Sequence, residues 1–127
     1  MTSPLSEKRI VLGVTGSIAC YKALDLASKL TQSGALVDTI LTSAANQFIS
    51  PLAFRSLTHR PVVTDLFDSE SELSINHVAL AEKADIVVVA PATANSIGKM
   101  ANGISDDPLG ATILATKSPI VVAPAMD

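Results

Sequence analysis

The feature that most constrains this chain is the run Ile86-Val87-Val88-Val89-Ala90, apolar throughout with no polar alternation. A strand with one face in water alternates apolar and polar side chains, so an unbroken β-branched run calls for burial on both faces. Ile10-Val11-Leu12-Gly13-Val14 and Ile120-Val121-Val122-Ala123 repeat the pattern. Strands of this kind belong to parallel sheets covered by helices, and parallel neighbours need a crossover, usually helical, between them.

The intervening segments have the right period for such crossovers. From about Ile18 to Ser33, Ala23, Leu26, Ala27 and Leu30 recur at helical spacing while Lys22, Asp25 and Lys29 can face water. Gly34 fits a helix stop, and Leu36 to Leu41 reads as the next strand. Thr42-Ser43 can cap a short helix from Ala44 to Phe48, and Pro51 can start another toward Leu57. His59-Arg60-Pro61 reads as a turn before a short strand, Val62-Val63. Asp65 to Glu72 is rich in acidic residues and reads as an exposed loop. Ala79 to Ala84 is helical, Pro91 ends the strand that begins at Ile86, and further helices cover Asn95 to Ala101 and Pro108 to Thr116. The β-α alternation predicts an α/β fold with a mostly parallel sheet and helices on both faces.

Composition narrows the function classes. With 127 residues the chain makes one domain, and 48% hydrophobic against 17% charged residues predicts a packed core. A net charge of -3 disfavours binding to nucleic-acid backbones. The single cysteine excludes an internal disulfide framework and a cysteine-based zinc cluster. No apolar stretch reaches the ~18 residues of a membrane span, and no secretory signal is evident, so a cytoplasmic protein without a membrane partner is expected. Residues 1–8 read as a flexible tail and 9–127 as the folded domain.

In doubly wound sheets, ligands bind beyond the carboxyl ends of the strands. The first such loop reads Gly13-Val14-Thr15-Gly16-Ser17-Ile18-Ala19. A strand, a small-residue turn and a helix start place backbone N–H groups around an anion, with Thr15 and Ser17 adding hydroxyl donors. Thr42-Ser43 offers further hydroxyls near the same crevice. The spacing is not the G-x-G-x-x-G fingerprint, no acidic residue closes the second strand, and no Walker lysine follows the glycine. The phosphate of a mononucleotide cofactor fits best. Glycines serving a tight turn alone are the alternative.

The second loop is Ala90-Pro91-Ala92-Thr93-Ala94-Asn95-Ser96. Its small residues admit a flat ligand, and Asn95 can both donate and accept at a ring edge, or else cap the following helix. Asp106-Asp107 before Pro108 suits a helix cap, and no metal site is expected. His77 has the chemistry of a general base or anion stabiliser near neutral pH, or is a half-exposed bystander. His59 reads as structural or solvated. Cys20 reads as a buried thiol rather than a reactive one.

Together, Gly13 to Lys22, Pro91 to Ser96, Ala101 to Asp107 and Ala123 to Asp127 resemble the flavin-containing cysteine decarboxylase family, over about Lys8 to the last residue. The resemblance points to members that decarboxylate 4'-phosphopantothenoylcysteine, often as the N-terminal half of a bifunctional coenzyme A biosynthesis protein. It implies a Rossmann-like (flavodoxin-like) three-layer sandwich that binds FMN. It also implies homotrimers, sometimes dodecamers, with flavin between protomers, and a fused or separate phosphopantothenate–cysteine ligase. By the same resemblance Gly16, Ser17 and Ile18 correspond to the FMN loop, and Ser43 to a residue holding the phosphate. Ala92, Thr93 and Asn95 correspond to the flavin-contacting motif, where Ser96 replaces a threonine. His77 corresponds to the active-site histidine. Pro124, Ala125 and Met126 match the start of the substrate-binding motif. Asp127 stands where the family has asparagine, and an ionised aspartate repels a substrate carboxylate instead of donating to it. The motif's remainder and the family's later cysteine are not in this sequence, so the domain is expected to be C-terminally incomplete. The implied reaction is that of an FMN-dependent carboxy-lyase. The cysteinyl part is oxidised to a thioaldehyde-like species, carbon dioxide leaves, and the electrons return to give 4'-phosphopantetheine. A flavin prenyltransferase, a dipicolinate synthase flavoprotein subunit and a non-catalytic FMN-binding regulatory subunit are rival readings on the same fold. Ala92-Thr93-Ala94-Asn95 and Pro124-Ala125-Met126 fit the decarboxylase better than the prenyltransferase.

Overall fold

The apolar runs at Ile10 and Ile86 form neighbouring inner strands of one sheet, whereas the run at Ile120 forms an edge strand whose residues are all exposed, against the expectation of burial on both faces. The computed structural model describes residues 3–64 and 78–125, and the acidic segment from Asp65 to Glu72 lies outside them. The elements in order are β1 (Arg9–Val14), α1 (Cys20–Gln32), β2 (Leu36–Leu41), a 3-10 turn (Ala45–Gln47), α2 (Pro51–Thr58) and β3 (Val62–Val63). After α3 (residues 78–83) come β4 (Ile86–Ala92), α4 (Ala94–Ala101), α5 (Pro108–Ala115) and β5 (Ile120–Pro124). The strand order is β3-β2-β1-β4-β5, and every pairing is parallel. The order reverses between β1 and β4, which makes their carboxyl ends the switch point of a doubly wound sheet.

Alternation along β1 assigns the two cores. Ile10, Leu12 and Val14 pack with Val37, Leu41, Ala23, Ala27 and Phe54 beneath α1 and α2. Val11 packs on the opposite face with Ile40, Val87, Val89 and Leu109, beside α3, α4 and α5. Fully burying each of the larger side chains is worth about 1.5–3 kcal/mol, so these two layers carry the fold. Gly13 shares the second face, and a Cβ there would overlap the Leu109 side chain. Within the segment read as a tail, Leu5 packs against the first core and the Glu7 N–H donates to the Gly34 carbonyl over 2.8 Å.

Helix ends follow local rules. At the end of α1, Gly34 takes φ +94° while its N–H donates to Thr31 and that of Ala35 donates to Leu30. This is a Schellman closure, which favours glycine. The Ser50 hydroxyl accepts from Leu52 N–H and Pro51 occupies the first turn of α2. Asp107 caps α5 in the same way, its Oδ1 accepting from Gly110 N–H over 2.7 Å.

Two element boundaries also need correction. Helix α1 begins at Cys20, not Ile18, because residues 16–19 are drawn into the preceding loop. Strand β4 also runs through Pro91 to Ala92. Proline lacks a ladder donor, and the register with β5 shifts between Val89 and Ala92 to accommodate it.

Candidate functional site

The loops after β1, β2 and β4 meet at the carboxyl edge of the sheet around two adjoining clefts of about 440 and 470 Å³. Gly16, Thr93 and Asn95 line both, Ser43 lines the first, and Ser17, Ile18 and Ala125 line the second. The structure thus brings together Gly16, Ser17, Ile18, Ser43, Thr93, Asn95 and Ala125. His77, Met126 and Asp127 lie outside the described residues.

The first loop holds its donors unevenly. Ser17 N–H donates to the Thr15 carbonyl, and the Ser17 hydroxyl accepts from Ala19 N–H over 3.1 Å. Cys20 N–H donates to the Ser17 carbonyl, so the first turn of α1 is satisfied locally. Among the described residues the N–H groups of Gly16 and Ile18 have no protein acceptor, so the free donors come from the loop itself. A Cβ on Gly16 would overlap that of Ala44 and stand 3.0 Å from its carbonyl carbon, so glycine keeps the two loops in close approach. Close approach of the two loops is what a tight turn requires, and the same geometry leaves the Gly16 and Ile18 N–H groups in an arrangement that suits an anion.

Two hydroxyls expected at the crevice are already engaged. Thr15, 1% exposed, donates to the Pro91 carbonyl and accepts from Thr93 N–H. Thr42, 8% exposed, accepts from Ala45 N–H over 3.2 Å at the start of the 3-10 turn. Ser43 lines the first cleft and Ser17 the second, and the Ser17 hydroxyl, although it accepts from Ala19 N–H, keeps its own hydrogen to donate.

In the second loop the cap is Thr93, not Asn95: the Thr93 hydroxyl accepts from Ser96 N–H over 3.2 Å. Asn95 is exposed in the first turn of α4 and free to meet a ligand. The Ala92 methyl is fully buried in the second core and its carbonyl accepts from Ala125 N–H, so it forms the floor beneath the site.

Lys99 was not singled out from the sequence. It lines the first cleft and pairs with Asp106 over 3.1 Å. Its position one turn after Asn95 and Ser96 on α4 is the signal that places it on their face. Among the described residues no group of histidine, cysteine and carboxylate side chains could hold a metal. Cys20 is buried in the first core, and burial pushes its thiol up from the ordinary value, away from reactivity.

A parallel doubly wound sheet whose switch-point loops offer free N–H groups, small residues and hydroxyls defines a mononucleotide-binding α/β protein. Comparison with known proteins makes the class specific. The flavoprotein family model matches residues 1–127. The coenzyme A biosynthesis bifunctional protein CoaBC of Bacillus subtilis (strain 168) is 49% identical over 123 residues, covering 97% of this chain and 30% of the relative. Among solved structures, the FMN-dependent cysteine decarboxylase TvaF from thioviridamide biosynthesis superposes with a TM-score of 0.89 at 32% identity, covering 96% of this chain and 75% of that one. A PPC decarboxylase variant complexed with pantothenoylaminoethenethiol superposes with a TM-score of 0.78 at 30% identity, covering 95% and 68%. The chain belongs to the flavoprotein family, in its cysteine decarboxylase branch. It spans about 30% of the length of the curated relatives it matches.

Proposed function

We propose that this chain binds FMN and takes part in decarboxylating 4'-phosphopantothenoylcysteine to 4'-phosphopantetheine, a step of coenzyme A biosynthesis. The observation that carries the reading is the cradle at Gly16. Close contact with Ala44 and the free N–H groups of Gly16 and Ile18 suit a phosphate, and Ser43 stands across the cleft. The relatives supply the substrate class: a bifunctional coenzyme A biosynthesis protein, and a PPC decarboxylase holding a pantothenoyl enethiol.

FMN, when bound, would take up and return the electron pair that lets the cysteinyl carboxylate leave as carbon dioxide. The chain's own residues bind and orient. The loop donors hold the phosphate, Asn95 meets the flavin edge, and Thr93 fixes the helix that carries Asn95. Ala125, Met126 and Asp127 are assigned to the substrate side, and His77 to the catalytic group beside the carboxylate.

A homo-oligomer, trimeric or dodecameric, with flavin at the protomer boundary belongs to the same reading. Ile18, Phe48 and Leu52 are exposed apolar side chains, and the first two line the second cleft, where a neighbouring protomer would cover them. A fused or separate phosphopantothenate–cysteine ligase is the expected partner. A cytoplasmic location is proposed; among the described residues no helix is long and apolar enough to cross a membrane.

The test is purification and turnover. The protein should carry FMN, visible by its absorbance, and release carbon dioxide from phosphopantothenoylcysteine. His77→Asn should keep the flavin and lose the carbon dioxide. Absence of flavin that FMN reconstitution cannot restore would remove the cofactor assignment, and undiminished turnover by His77→Asn would remove the histidine.

A further inference from the structure

We infer that Thr15 is a positioning residue that fastens the two halves of the cofactor site to each other, a role that rests on the flavin assignment above. The β1 and β4 loops are 76 residues apart in sequence, and the Thr15 side chain bonds to both Pro91 and Thr93 across the gap. The Thr15 hydroxyl donates to the Pro91 carbonyl oxygen over 2.6 Å and accepts from Thr93 N–H over 3.0 Å. Thr15 N–H also donates to the Pro91 carbonyl, over 3.3 Å. Among side chains of this size only a hydroxyl gives and receives strong hydrogen bonds through one atom, a thiol doing both weakly, so the position favours threonine or serine. Thr15 is 1% exposed, so water cannot substitute for it without rearrangement.

What it holds is the second loop's working end. With its N–H fixed by Thr15, Thr93 turns its own hydroxyl to Ser96 N–H and starts α4. Asn95 in that first turn then faces Gly16 and Ser43 across the cleft. Without the Thr15 hydroxyl, the Pro91 carbonyl keeps only the weaker Thr15 N–H and the Thr93 N–H loses its partner. The loop then samples arrangements in which Asn95 no longer faces the first loop, and FMN must reorder it on binding. Apparent affinity falls with the fraction of protein in the competent arrangement.

Thr15→Ser and Thr15→Ala differ by one oxygen atom and isolate the hydroxyl. Losing a buried hydrogen-bond partner should weaken FMN binding about tenfold or more in Thr15→Ala, while Thr15→Ser stays close to the parent. Thr15→Val, which keeps the threonine shape, should behave like Thr15→Ala. Thr39→Val is the control: Thr39 is a fully buried threonine in β2 whose hydroxyl has no partner among the described residues, and its loss should leave FMN binding unchanged. Amide hydrogen exchange on the flavin-free protein gives a second readout: the Thr93 amide should exchange faster in Thr15→Ala and Thr15→Val, and at the parent rate in Thr15→Ser. Equal FMN affinity in Thr15→Ser and Thr15→Ala, or an unchanged Thr93 exchange rate in Thr15→Ala, overturns the assignment. Parent protein that takes up no FMN instead removes the flavin reading, and the exchange experiment still decides whether Thr15 holds the loop.

Discussion

Gly16 sits where two loops come within van der Waals contact, and no side chain fits between them. Gly16→Val should therefore abolish FMN retention while the helical circular dichroism stays near that of the parent, since the cores lie below the loop. Flavin content per protein, read by absorbance after desalting, checks it. Residues of this kind were legible in the sequence because glycine and small hydroxyl residues after an apolar run leave few alternatives. Thr15 and Ser17 look equivalent in one dimension. What separates them is a partner far along the chain: Thr15 is turned inward to Pro91 and Thr93, whereas Ser17 folds back on Ala19 at the cleft. Asn95 and Thr93 exchange roles for a similar reason, since either can cap a helix and the backbone path chooses Thr93.

Elements were read well wherever a local rule governs them. Strand β2 occupies the expected Leu36–Leu41, and α1 closes at Gly34 through backbone geometry that glycine favours. Strand β4 outran the expectation because proline ends strands only when its missing donor is needed. At Pro91 the register shift removes that need, and its carbonyl finds Thr15 instead of a neighbouring strand. Helix α5 depends on its cap more than most, being short and led by Asp107 and Pro108. Asp107→Ala should cost about 1 kcal/mol of stability, measured as a shift of the urea midpoint at unchanged slope. Asp106→Ala breaks only a pair that is exposed on the aspartate side and should move the midpoint less.

At the scale of the whole molecule, one ion pair among the described residues outweighs the other two in expected effect. Asp38, 7% exposed in β2, accepts from Arg60 Nε over 2.8 Å and from Nη2 over 3.4 Å. This bidentate grip ties the turn after α2 to the centre of the sheet. Arg60→Met leaves the carboxylate largely dry and unpaired and should cost roughly 2–3 kcal/mol, below the full range for a buried pair because Arg60 retains some solvent. Lys29→Met breaks the exposed pair with Asp25 and should leave the melting temperature unchanged. The sequence concealed this difference, since both pairs join an aspartate to a basic residue and only the fold decides which is buried.

The adjacency of β1 and β4 also carries a consequence for how the protein is made. Their pairing closes a loop of roughly 76 residues, whereas β1 with β2 closes a much shorter one. Long closures are entropically later and slower events in chain assembly. The proposed flavin site straddles that seam, so on this reading a nascent or refolding chain owns no cofactor pocket until its most distant contacts are in place. Cofactor capture then stabilises only molecules that have completed the sheet. Bound flavin becomes a certificate of finished folding as well as a reagent.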